Sequence, residues 1–93
     1  MSVFADYARY YDLLYRDKPY RQEADYIRGI IDAHQPGARI LVELGCGSGV
    51  HAEYLARSGL AVTGTDLSKW MLDRANARRA VLPDDVAQRL RYT

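Results

Sequence analysis

The sequence predicts an α/β fold built on a doubly wound parallel sheet, and three observations lead to this prediction. Two short apolar runs, residues 39–44 and residues 60–65, have the length and composition of buried strands. A helix-like stretch separates the two runs, and another follows the second run. A glycine-rich segment, residues 45–49, connects the first run to the first of these helices. Alternating strands and helices are typical of parallel sheets with right-handed crossovers.

The first 36 residues predict a helical cap ahead of the sheet. Apolar residues at helical spacing predict a helix over residues 4–15, which Lys18-Pro19 ends. Apolar residues that form one stripe predict a second helix, which begins at Tyr20. This helix ends before Pro36-Gly37, which is a turn signal. The residues at helical spacing are Phe4, Ala8, Tyr11 and Tyr15, followed by Tyr20, Ala24, Ile27 and Ile31.

The boundaries of the later elements carry their own chemical signals. Gly59 suits the position just after a helix, and Ser68 suits the N-cap of the next helix. Residues 82–85 predict a loop, and a third strand begins near Arg89. The elements predicted between these signals are a strand over 39–44, a helix over 50–58, a strand over 60–65 and a helix over 68–80.

The composition is that of an ordinary globular protein, with 48% hydrophobic and 27% charged residues and a net charge of +1. We therefore expect neither nucleic acid nor a membrane as a partner. The single cysteine cannot form an intramolecular disulfide, which favours a reducing compartment. The first 25 residues lack the apolar core of a signal peptide, and no run approaches the ~18 apolar residues of a membrane span. These features predict a cytoplasmic protein.

The C-terminal third is rich in basic residues, with six against three acids over residues 69–91. Arginine is seldom buried, so we expect a solvated helix face. A patch for an acidic substrate phosphate is the alternative. The basic residues are Lys69, Arg74, Arg78, Arg79, Arg89 and Arg91.

The glycine-rich segment and a distant acid together predict a nucleoside site. Residues 42–49 read Val-Glu-Leu-Gly-Cys-Gly-Ser-Gly, and Asp66 follows 21 residues after Gly45. Glycines let the backbone turn sharply and lie against a ligand, and the helix that begins near Val50 directs free N–H groups at it. Asp66, at the end of the second predicted strand, can accept hydrogen bonds from both ribose hydroxyls.

The glycine spacing distinguishes between two kinds of nucleoside. A dinucleotide fingerprint has glycines at its first, third and sixth positions, but here the sixth position is Val50 and the third glycine is Gly49. Residues 43–49 therefore resemble motif I of the class I S-adenosylmethionine (SAM) dependent methyltransferases. Residues 62–72 resemble the second strand, the ribose-binding acid and the next helix of that family. Residues 11–15 and 20–24 resemble the N-terminal cap of its small-molecule branch, in particular the amino-sugar N-methyltransferases.

The resemblance implies a Rossmann-like domain that transfers a methyl group from SAM to a small-molecule acceptor. The first candidate that it implies for the acceptor atom is an amino-sugar nitrogen. It implies roles for Glu43 near the amino group of SAM and for Asp66 at the ribose. Packing against adenine is implied for Leu67, Trp70 and Met71, and a position over the cofactor for Tyr15. The cofactor-binding residues implied are Tyr15, Glu43, Gly45, Cys46, Gly47, Gly49, Asp66, Leu67 and Met71.

Each of these roles has a structural alternative. The glycines could serve only a strand-to-helix turn, and Asp66 could cap the next helix. Leu67 and Met71 could be core residues. Tyr15 is one of eight tyrosines, so its match to the family could arise by chance. Cys46 fills a small position within the motif and is expected to be neither a redox nor a nucleophilic site.

No catalytic residue or metal ligand is predicted. An amine acceptor must lose a proton, so a general base is possible, but we assign none and expect it beyond residue 93. His51, near the start of a helix, has no second histidine or acid cluster beside it in the sequence.

The resemblance also implies a larger sheet, of seven strands in the order 3-2-1-4-5-7-6. Residues 1–36 then correspond to the cap, and residues 37–93 to the N-terminal half of the SAM-binding domain, truncated after the start of the third strand. Without a fourth strand, residues 39–44 become an exposed apolar edge, which predicts self-association or marginal stability. We expect such a fragment to be inactive alone.

Two alternative functions stay open at this point. An NAD-dependent oxidoreductase would share the fold and the acid, although Val50 argues against it. The sequence would also fit a non-catalytic product. Such a product would be either a truncated remnant or a half-domain that pairs with a partner through its open edge.

Overall fold

A computed structural model of the chain describes residues 19–93. The helix predicted over residues 4–15, together with Tyr15, lies outside this range. The elements in chain order are α1 (Tyr20–His34), β1 (Ile40–Leu44), α2 (Val50–Arg57), β2 (Ala61–Thr65), α3 (Lys69–Ala80), α4 (Asp84–Ala87) and β3 (Leu90–Tyr92).

The three strands form one parallel sheet in the order β1-β2-β3. Ile40 pairs with Ala61 and Leu44 with Thr65, while Val62 pairs with Leu90. Helices connect the parallel strands, as crossover connections require. The predicted α/β class with a parallel sheet is confirmed.

The core lies between the sheet and α2. Small alanines let α2 approach β2 closely, and the larger side chains of Leu55, Leu60 and Val62 fill the space between them. Helix α1 packs on the outer side of α2. There Glu23 Oε1 lies 2.9 Å from His51 Nε2, and the rings of Tyr20 and His51 meet edge to face at 5.0 Å. The buried members of the core are Ala24, Ala52, Leu55, Ala56, Leu60, Val62, Val86 and Leu90.

One face of β1 is exposed and apolar. Ile40, Val42 and Leu44 alternate along the strand and are 77%, 58% and 82% exposed, whereas Leu41 and Glu43 between them are partly buried. Side chains at alternate positions of a strand point to opposite faces. Of the elements in residues 19–93, none covers this stripe, and β1 also forms one edge of the described sheet.

Local chemistry sets two of the predicted boundaries. The Ser68 hydroxyl accepts a hydrogen bond from the Met71 N–H at 3.2 Å, which confirms the predicted N-cap of α3. Gly59 has a φ of 105° just after α2, as expected for a residue that ends a helix.

The loop predicted at residues 82–85 is corrected by the structure. A single helical turn, α4, begins at Asp84, and the N–H groups of Val86 and Ala87 both donate to the Pro83 carbonyl. Val86 is buried in the core, so tertiary packing stabilises a turn that the local sequence did not indicate. None of the helices in residues 19–93 is both long and apolar enough to cross a membrane.

Candidate functional site

A cleft of about 500 Å³ lies at the carboxyl ends of the strands. Open parallel sheets bind their ligands at this end, where the loops that follow the strands meet. The lining residues are the last residues of β1 and β2, residues of the loops that follow these two strands, and the residue after β3. They are Leu44, Gly45, Thr65, Asp66, Leu67 and Thr93.

The glycine loop, residues 45–49, connects β1 to α2 along one side of this cleft. Gly45, Gly47 and Gly49 have φ angles of 67°, 58° and 85°, a region that side-chain-bearing residues rarely adopt. Apart from Gly45 itself and its two chain neighbours, no described residue has an atom within 4 Å of the position that a Cβ on Gly45 would occupy. A ligand in the cleft can therefore approach the backbone there without a steric barrier.

Asp66 joins the glycine loop to the start of α3. Its Oδ2 accepts a hydrogen bond from the Gly47 N–H at 2.9 Å, and its Oδ1 accepts one from the Ser68 N–H at 2.8 Å. A carboxylate has about four acceptor sites, so two of them stay available. Asp66 thus orders the loop and the residue that caps α3, and it also lines the cleft, whereas the N-cap itself is Ser68 and not Asp66.

Glu43 is a partly buried carboxyl directly ahead of the glycine loop. Burial raises the pKa of Glu43, and the nearby His51 opposes this to a smaller extent. Within residues 19–93, its buried Oε1 has no hydrogen-bond partner. An unsatisfied buried carboxylate oxygen is costly, and a cationic donor such as an ammonium group would satisfy it.

Cys46 behaves as a small packing residue. Burial, followed by the charges of Glu43 and Asp66, raises the pKa of its thiol to about 11. The thiol is therefore neutral at physiological pH and a poor nucleophile. The backbone N–H of Cys46 donates to the Thr65 carbonyl at 2.8 Å, which links the loop to the end of β2.

Gly64 and Tyr92 pack against the glycine loop beside the cleft, although the sequence interpretation missed them. A Cβ on Gly64 would lie 2.9 Å from both Cys46 Cβ and Tyr92 Cδ1, so only glycine leaves room for these two side chains. The hydroxyl of Tyr92 donates to the Gly49 carbonyl at 3.4 Å. A glycine inside a strand is a known sign of close approach, and it could have pointed to this position.

The three residues expected to contact adenine, Leu67, Trp70 and Met71, differ in their surroundings. Leu67 is fully exposed and lines the cleft. Met71 is buried and is not among the residues that line the cleft, which favours its structural alternative as a packing residue. Trp70 lies one residue before Met71, with Lys69 Nζ 5.2 Å from the centre of its ring.

The basic C-terminal third is not a uniformly solvated face. The Nε atoms of three partly buried arginines donate to backbone carbonyls: Arg78 to Ser48, Arg89 to Ala56, and Arg79 to both Ala87 and Leu90. These side chains bind carbonyls of the glycine loop and of the ends of α2, α4 and β3, which corrects the expectation of a solvated face at these positions. Across residues 19–93, no group of three or more His, Cys, Asp or Glu side chains could hold a metal ion.

Comparison with known proteins agrees with this geometry. The family model described as "Methyltransferase domain" matches residues 41–89, which include the glycine loop and Asp66. The dTDP-3-amino-3,4,6-trideoxy-alpha-D-glucopyranose N,N-dimethyltransferase of Streptomyces venezuelae is 37% identical over 81 residues, which make up 85% of this chain and 33% of that protein.

Solved structures show the same similarity. Streptomyces venezuelae DesVI superposes with a TM-score of 0.75 and 30% identity over 94% of this chain and 35% of that chain. SAM-bound CalS10, an amino pentose methyltransferase from Micromonospora echinaspora, gives a TM-score of 0.72 and 33% identity over 88% of this chain and 32% of that chain. The chain spans about a third of the length of these relatives. The matched residues include the loop and the acid that build the cleft, and the chain belongs to the methyltransferase domain family.

Proposed function

We propose that this chain forms the SAM-binding part of a class I methyltransferase that acts on a small-molecule acceptor. The observation that carries the proposal is the hydrogen bond of 2.9 Å between the Gly47 N–H and Asp66 Oδ2. It brings together a glycine loop and a strand-end acid at the carboxyl edge of a parallel sheet. This pairing is the usual way in which such folds hold a nucleoside.

Residues that line the cleft or flank the glycine loop fit the parts of SAM in chemical terms. Glu43, with its unsatisfied Oε1, suits the ammonium group of the methionine part. The acceptor sites left on Asp66 suit the ribose hydroxyls. The N-terminus of α2 suits the methionine carboxylate, and the exposed Leu67 offers an apolar surface to adenine.

In the reaction we propose, bound SAM supplies an electrophilic methyl group on a sulfonium. The residues of this chain bind and orient it, and alignment alone can contribute up to ~7–11 kcal/mol to such a transfer. We assign no general base. Two of the similar proteins are methyltransferases of amino sugars, which supports an amino-sugar nitrogen as the acceptor. A reducing compartment such as the cytoplasm suits the free thiol of Cys46.

The first test is a calorimetric titration of the 93-residue chain with S-adenosylhomocysteine (SAH), with NADH as the control ligand. We expect saturable SAH binding and no NADH binding. Amide NMR shifts on SAH addition should be concentrated at Gly45, Gly47 and Gly49. NADH binding at the same amides would favour the oxidoreductase alternative, and an unresponsive spectrum with both ligands would contradict cofactor binding by this chain.

We further propose that the chain associates with a second copy through β1. The apolar residues of the exposed face are concentrated on this strand, because the matching positions of β2 and β3 include Thr63, Thr65 and Arg91. β1 is also an edge strand of the described sheet, with backbone groups able to pair. Two copies related by a twofold axis that packs these exposed faces against each other would cover both stripes of Ile40, Val42 and Leu44.

Replacing Val42 with Lys tests this association, because a charge in the middle of the stripe should prevent its burial. Light scattering coupled to size exclusion should show a dimer for the unmodified chain and a monomer for Val42→Lys. Val81→Lys is the matched control, since Val81 is 83% exposed at the end of α3 and outside the sheet. An unmodified chain that elutes as a monomer at every concentration would contradict the proposal.

A further inference from the structure

Two carbonyls of the glycine loop are held by side chains from elements distant in the sequence. Arg78 Nε, on α3, donates to the Ser48 carbonyl at 3.3 Å, and the Tyr92 hydroxyl, on β3, donates to the Gly49 carbonyl at 3.4 Å. The loop is thus contacted on its carbonyl side by Arg78 and Tyr92, and through the Gly47 N–H by Asp66.

Close packing accompanies the two long hydrogen bonds. Ser48 is only 2% exposed. The Tyr92 ring lies so close to Gly49 and Gly64 that a Cβ on either glycine would come within 2.9 Å of a ring atom. Burial also raises the pKa of Tyr92, so its hydroxyl keeps its proton and can donate.

The loop needs such support because of its composition. Three of its five residues are glycines with positive φ, and glycine loses more conformational freedom on folding than any other residue. Without a contact on the carbonyl side, the loop could sample many backbone conformations. A ligand would then have to order the loop at the moment of binding, which lowers affinity.

We propose that Arg78 and Tyr92 are positioning residues, which hold the glycine loop in the conformation that receives the cofactor. Neither side chain lines the cleft, so both act through the Ser48 and Gly49 carbonyls and not by touching the ligand. One test of this proposal, the measurement of SAH affinity, rests on the proposed function. The other test, amide hydrogen exchange, needs no ligand.

The variants Tyr92→Phe and Arg78→Met remove the donor groups and keep most of the packing volume. We expect each to weaken SAH binding about three- to tenfold, as expected for the loss of one hydrogen bond. Arg78→Lys, which keeps a cationic donor, should recover most of the affinity. The exposed residues Tyr26 and Arg91 supply matched controls as Tyr26→Phe and Arg91→Met, and both should bind as the unmodified chain does.

Amide hydrogen exchange in the ligand-free chain gives the second readout. The Gly47 and Gly49 amides should exchange faster in Tyr92→Phe and Arg78→Met, whereas the core amides of Leu55 and Val62 keep their protection. Equal exchange at both glycines in all variants would overturn the proposal, as would unchanged SAH affinity. An unmodified chain that binds no SAH would count against the proposed function alone, because the exchange readout still decides the role of Arg78 and Tyr92.

Discussion

Replacing Asp66 with Ala is expected to weaken SAH binding by about 100-fold or more. The substitution removes the two available acceptor sites proposed for the ribose hydroxyls, and hydrogen bonds to a charged group contribute about 1.5–3 kcal/mol each. It also removes the acceptor that orders the Gly47 N–H at 2.9 Å. Both losses act on the same ligand, so their effects should reinforce each other.

Calorimetric titration with SAH measures this effect, and thermal unfolding shows whether the variant still folds. Asp73→Ala is the matched control, because Asp73 is an exposed acid on α3 that pairs only with exposed Lys69 in the described contacts. It should bind SAH as the unmodified chain does. An Asp66→Ala variant that is folded and retains full affinity would remove Asp66 from the proposed binding site.

Replacing Gly49 with Ala is expected to lower the free energy of unfolding by about 2–4 kcal/mol. Gly49 has a φ of 85°, where a side chain is strained, and its Cβ would lie 2.9 Å from Tyr92 Cζ and closer still to the hydroxyl. The neighbouring Ala75 Cβ would be 3.2 Å away. Strain and steric overlap therefore act together at a position where the surrounding core leaves little room to adjust.

Urea unfolding of the chain measures this change. Gly29→Ala is the control, because Gly29 lies in the exposed part of α1 with nothing within 4 Å of its Cβ position, and alanine should stabilise the helix by roughly 0.5–1 kcal/mol. The double variant Gly49→Ala/Tyr92→Phe should recover part of the loss, since it removes the nearest atom. A Gly49→Ala chain as stable as the unmodified one would show that the loop can rearrange freely.

Much of the fold could be predicted from the sequence because its signals are local. The N-cap at Ser68, the helix end at Gly59 and the strand-end position of Asp66 depend on residues within a few positions of one another. Such short-range chemistry is readable without the tertiary structure. The order of the three strands followed from the family resemblance.

The features that were missed depend on contacts between distant residues. The turn at Asp84–Ala87 forms because Val86 is buried against other elements, and Arg78 reaches a carbonyl 30 residues earlier in the chain. Tyr92 meets Gly49 across 43 residues. Local sequence patterns do not say which distant residues meet, so the support of the glycine loop became visible only in the folded structure.

The exposed stripe on β1 has a thermodynamic consequence. The heat capacity change of unfolding arises chiefly from apolar surface that folding hides from water. Ile40, Val42 and Leu44 are largely in water already in the folded chain, so they add little to this change. The stability of an uncovered chain should therefore vary less steeply with temperature than that of a chain whose stripe is covered. Covering the stripe would bring a negative heat capacity change of association and a more sharply curved temperature dependence of stability.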